Sequence, residues 1–164
     1  MKTYIWPIIS LVVAAGIQGN LPPSFLVFGV KPDLILVVLI AYSLAADAVV
    51  GAALGFVAGL IHGSVVGMGL GSFIATRTIT GFLGGLVTTR LFGENPMVPV
   101  LSAAWLTLVC EALFFLVNPR VGLLLFLRLV AVECVYNAVL TLLLFWVLRH
   151  MEARRKIRLA NARI

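Results

Sequence analysis

The sequence predicts an all-α integral membrane protein, a six-helix transmembrane bundle, on three observations. Hydrophobic residues make up 62% of the 164 residues, charged residues 11%, and the mean hydropathy is +1.16, well outside the composition of soluble domains. The apolar residues form several segments close to the roughly 20 residues that cross a bilayer, which excludes a single anchor carrying a soluble domain. Glycine then recurs at every fourth position in GAALGFVAGLIHGSVVGMGLG, from Gly51 through Gly55, Gly59, Gly63 and Gly67 to Gly71. In a soluble helix each would cost about 1 kcal/mol relative to alanine, whereas between helices in lipid small residues let two backbones touch.

Gly51, Gly55, Gly59 and Gly63 are read as a packing groove on a membrane helix. A four-residue step overshoots a helical turn by about 40°, so six glycines leave any single stripe. The stretch from Gly63 to Gly71, which also holds Ser64 and Gly69, is therefore read as a turn. A GxxxG seam with no role beyond folding fits the pattern as well.

Span one covers about residues 4–18, with Trp6 as an interface anchor. Its short basic start and apolar body have the outline of a signal peptide, but no clean cleavage signal follows. Residues 19–33 hold Asn20, Pro22, Pro23, Gly29 and Pro32, breakers that oppose helix. The loop is nonetheless apolar, with Phe25 to Phe28 together, and is expected in the interface or against neighbouring helices.

Lys31-Pro32-Asp33 opens span two, since proline suits a first turn and an acid suits the positive helix end. Only Asp47 is charged between Leu34 and His62. One helix there would be roughly 43 Å long against a hydrocarbon core of about 30 Å, so the chain is read as a hairpin turning near Ala46-Asp47, with spans two and three at about 33–46 and 48–62. Both are short, so thinning, tilt or re-entry is expected. Span four (about 70–91) carries Gly81, Gly84 and Gly85, a second small-residue patch able to receive the first. Spans five and six cover about 98–117 and 121–148, completing a membrane domain over 1–148. A basic tail over 149–164 follows.

Six spans place both termini on one side. Lys2, Arg90 and six basic residues of the tail lie there, eight in all, against Lys31 and Arg120 on the other, so both termini are predicted to be cytoplasmic. A five-span arrangement is the topological rival. The net charge of +6 and pI near 10.0 gather in the tail, where Arg149, Arg154, Arg155, Lys156 and Arg158 suit anionic lipid. No nucleic acid is expected.

Arg77, Glu111, Arg128 and Glu133 fall inside spans, where ionisable groups face protein and pair. Arg77, Glu111 and Arg128 each lie seven residues from one predicted span end, about 10 Å deep, which predicts a cluster of one carboxylate between two guanidiniums. Glu133 lies deeper and shares a face with Asn137. The set reads as a buried ion network fixing helix register. The alternatives are a proton or substrate path, or contact with a partner's membrane helix.

Catalysis has little support. Cys110 and Cys134 lie in apolar segments without a CxxC pair. His62 has no second histidine at ligand spacing, so no metal or other cofactor is expected. Gly69-Leu70-Gly71-Ser72 is not a nucleophile loop, and no phosphate-binding or metalloprotease motif occurs.

The order of these features resembles the rod shape-determining protein MreD family. The resemblance rests on KPDLILVVLIAYSL, with Pro32 and Asp33, and on GAALGFVAGLIHGSVVGMGLGSF, with Gly55, Phe56, Gly59 and Leu60; a glycine-bearing fourth span, Glu111 and Tyr136-Asn137 extend it. The chain departs from the family at His62, where an aspartate is usual. The resemblance implies a non-enzymatic subunit of the elongation machinery in the bacterial cytoplasmic membrane. Its partners would be MreC and, through it, RodA, its penicillin-binding transpeptidase and MreB. It also implies a fold similar to the substrate-binding subunits of energy-coupling-factor transporters. The alternative is a small-molecule carrier with an outward cavity lined by Arg77, Glu111 and the 19–33 loop.

Overall fold

The computed structural model describes residues 5–91, 97–119 and 121–161. Within them are six helices: α1 (Ile5–Gly19), α2 (Leu34–Ser43), α3 (Ala48–Val66), α4 (Leu70–Leu91), α5 (Met97–Val117) and α6 (Leu123–Asn161). Four stretches are long and apolar enough to cross a membrane: Ala48–Val66, Leu70–Val87, Met97–Val117 and Leu123–Leu148. α1 and α2 are shorter apolar helices. The fold is a helical membrane bundle.

α2 is the axis of the bundle. Ten residues make it about 15 Å long, roughly half a hydrocarbon core, yet Ile35, Leu36, Leu39, Ile40 and Ala41 are each at most 1% exposed. A helix that is hydrophobic all round is stable only when surrounded, and α2 touches each of the other five. Those five form an open ring in the order α1, α3, α4, α5, α6. Its two ends, α1 and α6, do not meet among the described residues. The 20–33 loop stands in the gap, where Phe25 begins an apolar hairpin closed by hydrogen bonds between Val27 and Val30.

The long apolar stretch from Leu34 divides at the expected hairpin. Asp47 caps α3, its carboxylate accepting from the Val49 and Val50 amides at 3.0 and 2.9 Å, which satisfies two donors that the first turn leaves unpaired. α2 ends at Ser43, three residues before the predicted limit, because the chain turns through Leu44–Ala46 with short-range bonds to Tyr42 and Ser43. α3 overruns its predicted end at His62 and continues to Val66. Gly63 is therefore helical, correcting its assignment to the turn. The turn is Gly67–Gly69, and both glycines have positive φ, +75° and +68°, a region costly for side chains with a Cβ.

The two glycine ladders meet each other. A Cβ on Gly51 would fall on the Gly81 carbonyl, one on Gly55 on the Arg77 carbonyl, and one on Gly59 would reach Ile74 Cα at 2.5 Å. Gly63 faces Leu70, and Gly85 faces Asp47 and Ala48. Each four-residue step up α3 is matched by a similar step down α4, as an antiparallel close-packed pair requires. Gly51, Gly55, Gly59, Gly63, Gly81 and Gly85 all lie inside this single interface, so the second small-residue patch receives the first, while Gly84 faces Ser43 of α2.

α6 runs as one helix through the end of the apolar stretch to Asn161, so the basic tail begins as its continuation. The side chains of Arg149, Arg154, Arg155, Lys156 and Arg158 lie outside what the structure describes, as do Lys2 and Arg120.

Candidate functional site

The polar side chains of the spans converge near the end of the bundle at which α1, α3 and α5 finish, here called the mouth. Asp33 is the N-cap of α2, one carboxylate oxygen accepting from the Leu36 amide at 2.9 Å. The apolar loop before it re-enters the bundle, so this cap lies below the ends of α3 and α4. Its other oxygen accepts from Arg77 Nη2 and lies 3.6 Å from His62 Nδ1. Arg77 Nη1 donates to Cys110 Sγ at 2.6 Å and to Glu111 Oε1 at 3.5 Å. Asn137 Oδ1 accepts from the Asp33 amide at 3.2 Å. Gln18 Oε1 accepts from the Ile35 amide at 3.2 Å.

All six helices therefore contribute to one polar assembly. Arg77 is 2% exposed, Asp33 6%, His62 7% and Asn137 0%. At such burial an ion pair is held by low dielectric and by the hydrogen bonds that satisfy its remaining atoms. The apolar side of the site is a stack. The His62 ring lies 4.4 Å from Phe73, Phe73 lies 4.7 Å from Phe114, and the Arg77 guanidinium sits 5.6 Å from the Phe73 centroid. Above the assembly a cavity of about 390 Å³ opens at the mouth, lined by Gln18, Lys31, Asp33, His62, Arg77, Glu111 and Glu133 among others.

The predicted triad is corrected in one member. Arg77 and Glu111 meet, but Arg128 is exposed and lies outside the cluster. Asp33 takes its place beside Arg77, so two carboxylates share one guanidinium. The reason is geometric. Glu133, not Arg128, shares the cavity wall with Arg77 and Glu111, which puts the start of α6 about 5 Å higher than that of α4, since α6 begins about 15 Å above Glu133 and α4 about 10 Å above Arg77. Five residues along a helix also rotate a side chain by about 140°, so Arg128 and Glu133 cannot both face inward. Arg128→Gln is accordingly expected to change the stability of the detergent-solubilised protein by no more than about 0.5 kcal/mol, read as a nearly unchanged thermal midpoint. A loss as large as that from altering Arg77 would restore the original triad.

Sequence reasoning also missed the roles of three residues. By sequence Asp33 is an acid at the start of a helix within the family-like motif, His62 has no second histidine at ligand spacing, and Cys110 lies in an apolar segment. The signal for Asp33 was the shortness of α2 together with the apolar loop before it, which place its cap deep. Glu133, Glu111 and Asp33 offer carboxylate oxygens within 4.8 Å of one another, a donor set that suits a hard cation. Both Asp33 oxygens are already engaged, however, and a guanidinium lies among them, so the arrangement serves first as an internal ion network.

Compared with known proteins, the chain matches the family model of rod shape-determining protein MreD over residues 1–153. No curated protein and no solved structure matches it.

Proposed function

The chain belongs to the MreD family of rod shape-determining proteins, and on that premise we propose that it is a non-enzymatic scaffold subunit of the rod-elongation complex, binding MreC and helping to position and regulate lateral peptidoglycan synthesis. RodA, its penicillin-binding transpeptidase and MreB would be reached through MreC. The observation that carries this reading is where the polar groups are spent. Asp33, His62, Arg77 and Glu111 bond to one another across four helices, and Gly51, Gly55, Gly59, Gly63, Gly81 and Gly85 are consumed between α3 and α4. Apart from Arg128, the outward faces of the spans are mainly apolar, with Leu101, Trp105, Leu116 and Trp146 each more than half exposed. A rigid bundle with an apolar exterior suits a protein that holds other membrane chains.

The reading places the protein in the bacterial cytoplasmic membrane with both termini in the cytoplasm, following the charge asymmetry. The tail would then lie against anionic lipid, each basic residue near the surface contributing about 1 kcal/mol before screening. Affinity purification from mildly solubilised membranes, with mass spectrometry of proteins and small molecules together, tests the proposal. MreC is expected in near-stoichiometric amount. A tightly held vitamin-like molecule without MreC would support the second reading, a small-molecule carrier, for which the one favouring observation is the cavity of about 390 Å³ at the mouth.

A further inference from the structure

The gap between α1 and α6 contains a second recess, unconnected with the ion network. It has a volume of about 480 Å³ and is walled by Val27 and Phe28 of the loop and by Ala131, Val135, Tyr136 and Val139 of α6. The two walls are tied together where the Tyr136 hydroxyl donates to the Phe25 carbonyl at 3.4 Å. At the loop tip Phe28 has a φ of +51° and is 80% exposed. Non-glycine residues in that region are strained and cluster at functional segments, and here the strain displays an aromatic ring beside an apolar groove.

Arg128 stands on the same stripe. Residues 131, 135 and 139 follow it by three, seven and eleven positions, the spacing of one helical face. Its side chain is exposed, and no carboxylate pairs with it among the described residues. It lies about 7.5 Å from the mouth end of α6, inside the candidate span Leu123–Leu148. Arg128 lies about 7.5 Å above Glu133, while α3 ends about 6 Å beyond His62 and α4 begins about 10 Å beyond Arg77. An arginine there extends its guanidinium towards the headgroups, and the groove descends about 12 Å from Ala131 to Val139 into the hydrocarbon.

We propose that this recess binds an anionic phospholipid, with its phosphate on Arg128 and one acyl chain in the groove between α6 and the Val27–Phe28 tip. A planar guanidinium matches phosphate oxygens in a bidentate fashion, and the charge at the top and apolar wall below fit one molecule carrying both features. A free phosphate would have no use for the groove. A zwitterionic lipid would bring a second, repelled cation to Arg128.

The test uses the full chain, purified in mild detergent, stripped of lipid and titrated with phosphatidylglycerol or phosphatidylcholine under native mass spectrometry. Retention of one phosphatidylglycerol in preference to phosphatidylcholine is expected. Arg128→Gln should lower that retention about fivefold, the loss of one basic contact with an anionic headgroup, while Arg128→Lys keeps most of it. Val135→Trp, which fills the groove and keeps the arginine, should lose the lipid too; should that variant misfold, the Arg128 pair carries the test alone. Equal retention of both lipids, indifference to Arg128→Gln, or displacement by glycerol phosphate without acyl chains would overturn the proposal. So would a photocrosslinker at Val135 that labels an acidic membrane helix of another chain in place of lipid.

Discussion

Gly55→Leu is expected to yield no monodisperse folded protein, as read by size-exclusion chromatography after mild solubilisation. Even a methyl group at this position would fall on the Arg77 carbonyl and within 2.8 Å of Thr78 Cα. Both obstacles are backbone, so no rotamer change relieves them and the two helices must separate. Overpacking in a core typically costs about 1–3 kcal/mol where side chains can yield; here the loss extends along the whole close-packed α3/α4 seam. It also moves the ion network, because the carbonyl that a Cβ would strike belongs to Arg77 itself. Gly55→Ala should be milder but clearly destabilising. Gly71→Ala is the control, since no atom lies within 4 Å of a Cβ there. Equal tolerance at Gly55 and Gly71 would mean that the seam is not the contact that holds the bundle.

Asp33→Ala is expected to cost about 3–5 kcal/mol, the range for removing one partner of a buried ion pair. Three losses combine. Arg77 is left with a weaker carboxylate partner at 3.5 Å, the Leu36 amide loses its cap, and His62 loses a neighbour at 3.6 Å. The signature that separates pairing from capping is a double substitution. Asp33→Asn combined with Arg77→Met keeps a capping oxygen and removes the buried charge, so it should recover much of the stability that Arg77→Met alone loses, measured as thermal midpoints in one detergent. Additive losses would show that the two side chains act independently.

Much of the architecture is legible in the residues. The six apolar segments, the hairpin at Asp47 and the start of α4 at Leu70 follow from hydropathy, helix capping and the bilayer's fixed thickness, which act locally. The glycine ladder announces a close helix contact because no other use for glycine at every fourth position outweighs its cost. Its partner was named only as a possibility, and the structure makes it the facing strip of α4. Helix ends were less legible. α3 continues four residues past His62, because glycine marks both close packing and turns; only the positive φ of Gly67 and Gly69 distinguishes the two uses.

The ion network shows the same division. That Arg77, Glu111 and Glu133 must face protein follows from the expense of charge in lipid, whatever the fold. Which groups meet does not, because equal counts along a chain become equal depths only if every helix starts at the same level. α6 starts higher, α2 starts inside the bundle, and the 20–33 loop re-enters, so Asp33 arrives beside Arg77 while Arg128 turns outward. The sequence by itself determined a membrane bundle with a glycine-lined contact and charges in need of partners, since propensity, spacing and solvation cost belong to each segment alone. Tertiary structure decided the pairing of Asp33 with Arg77, the burial of both glycine faces and the recess beneath Arg128, because those depend on the relative height and rotation of helices that no local signal records.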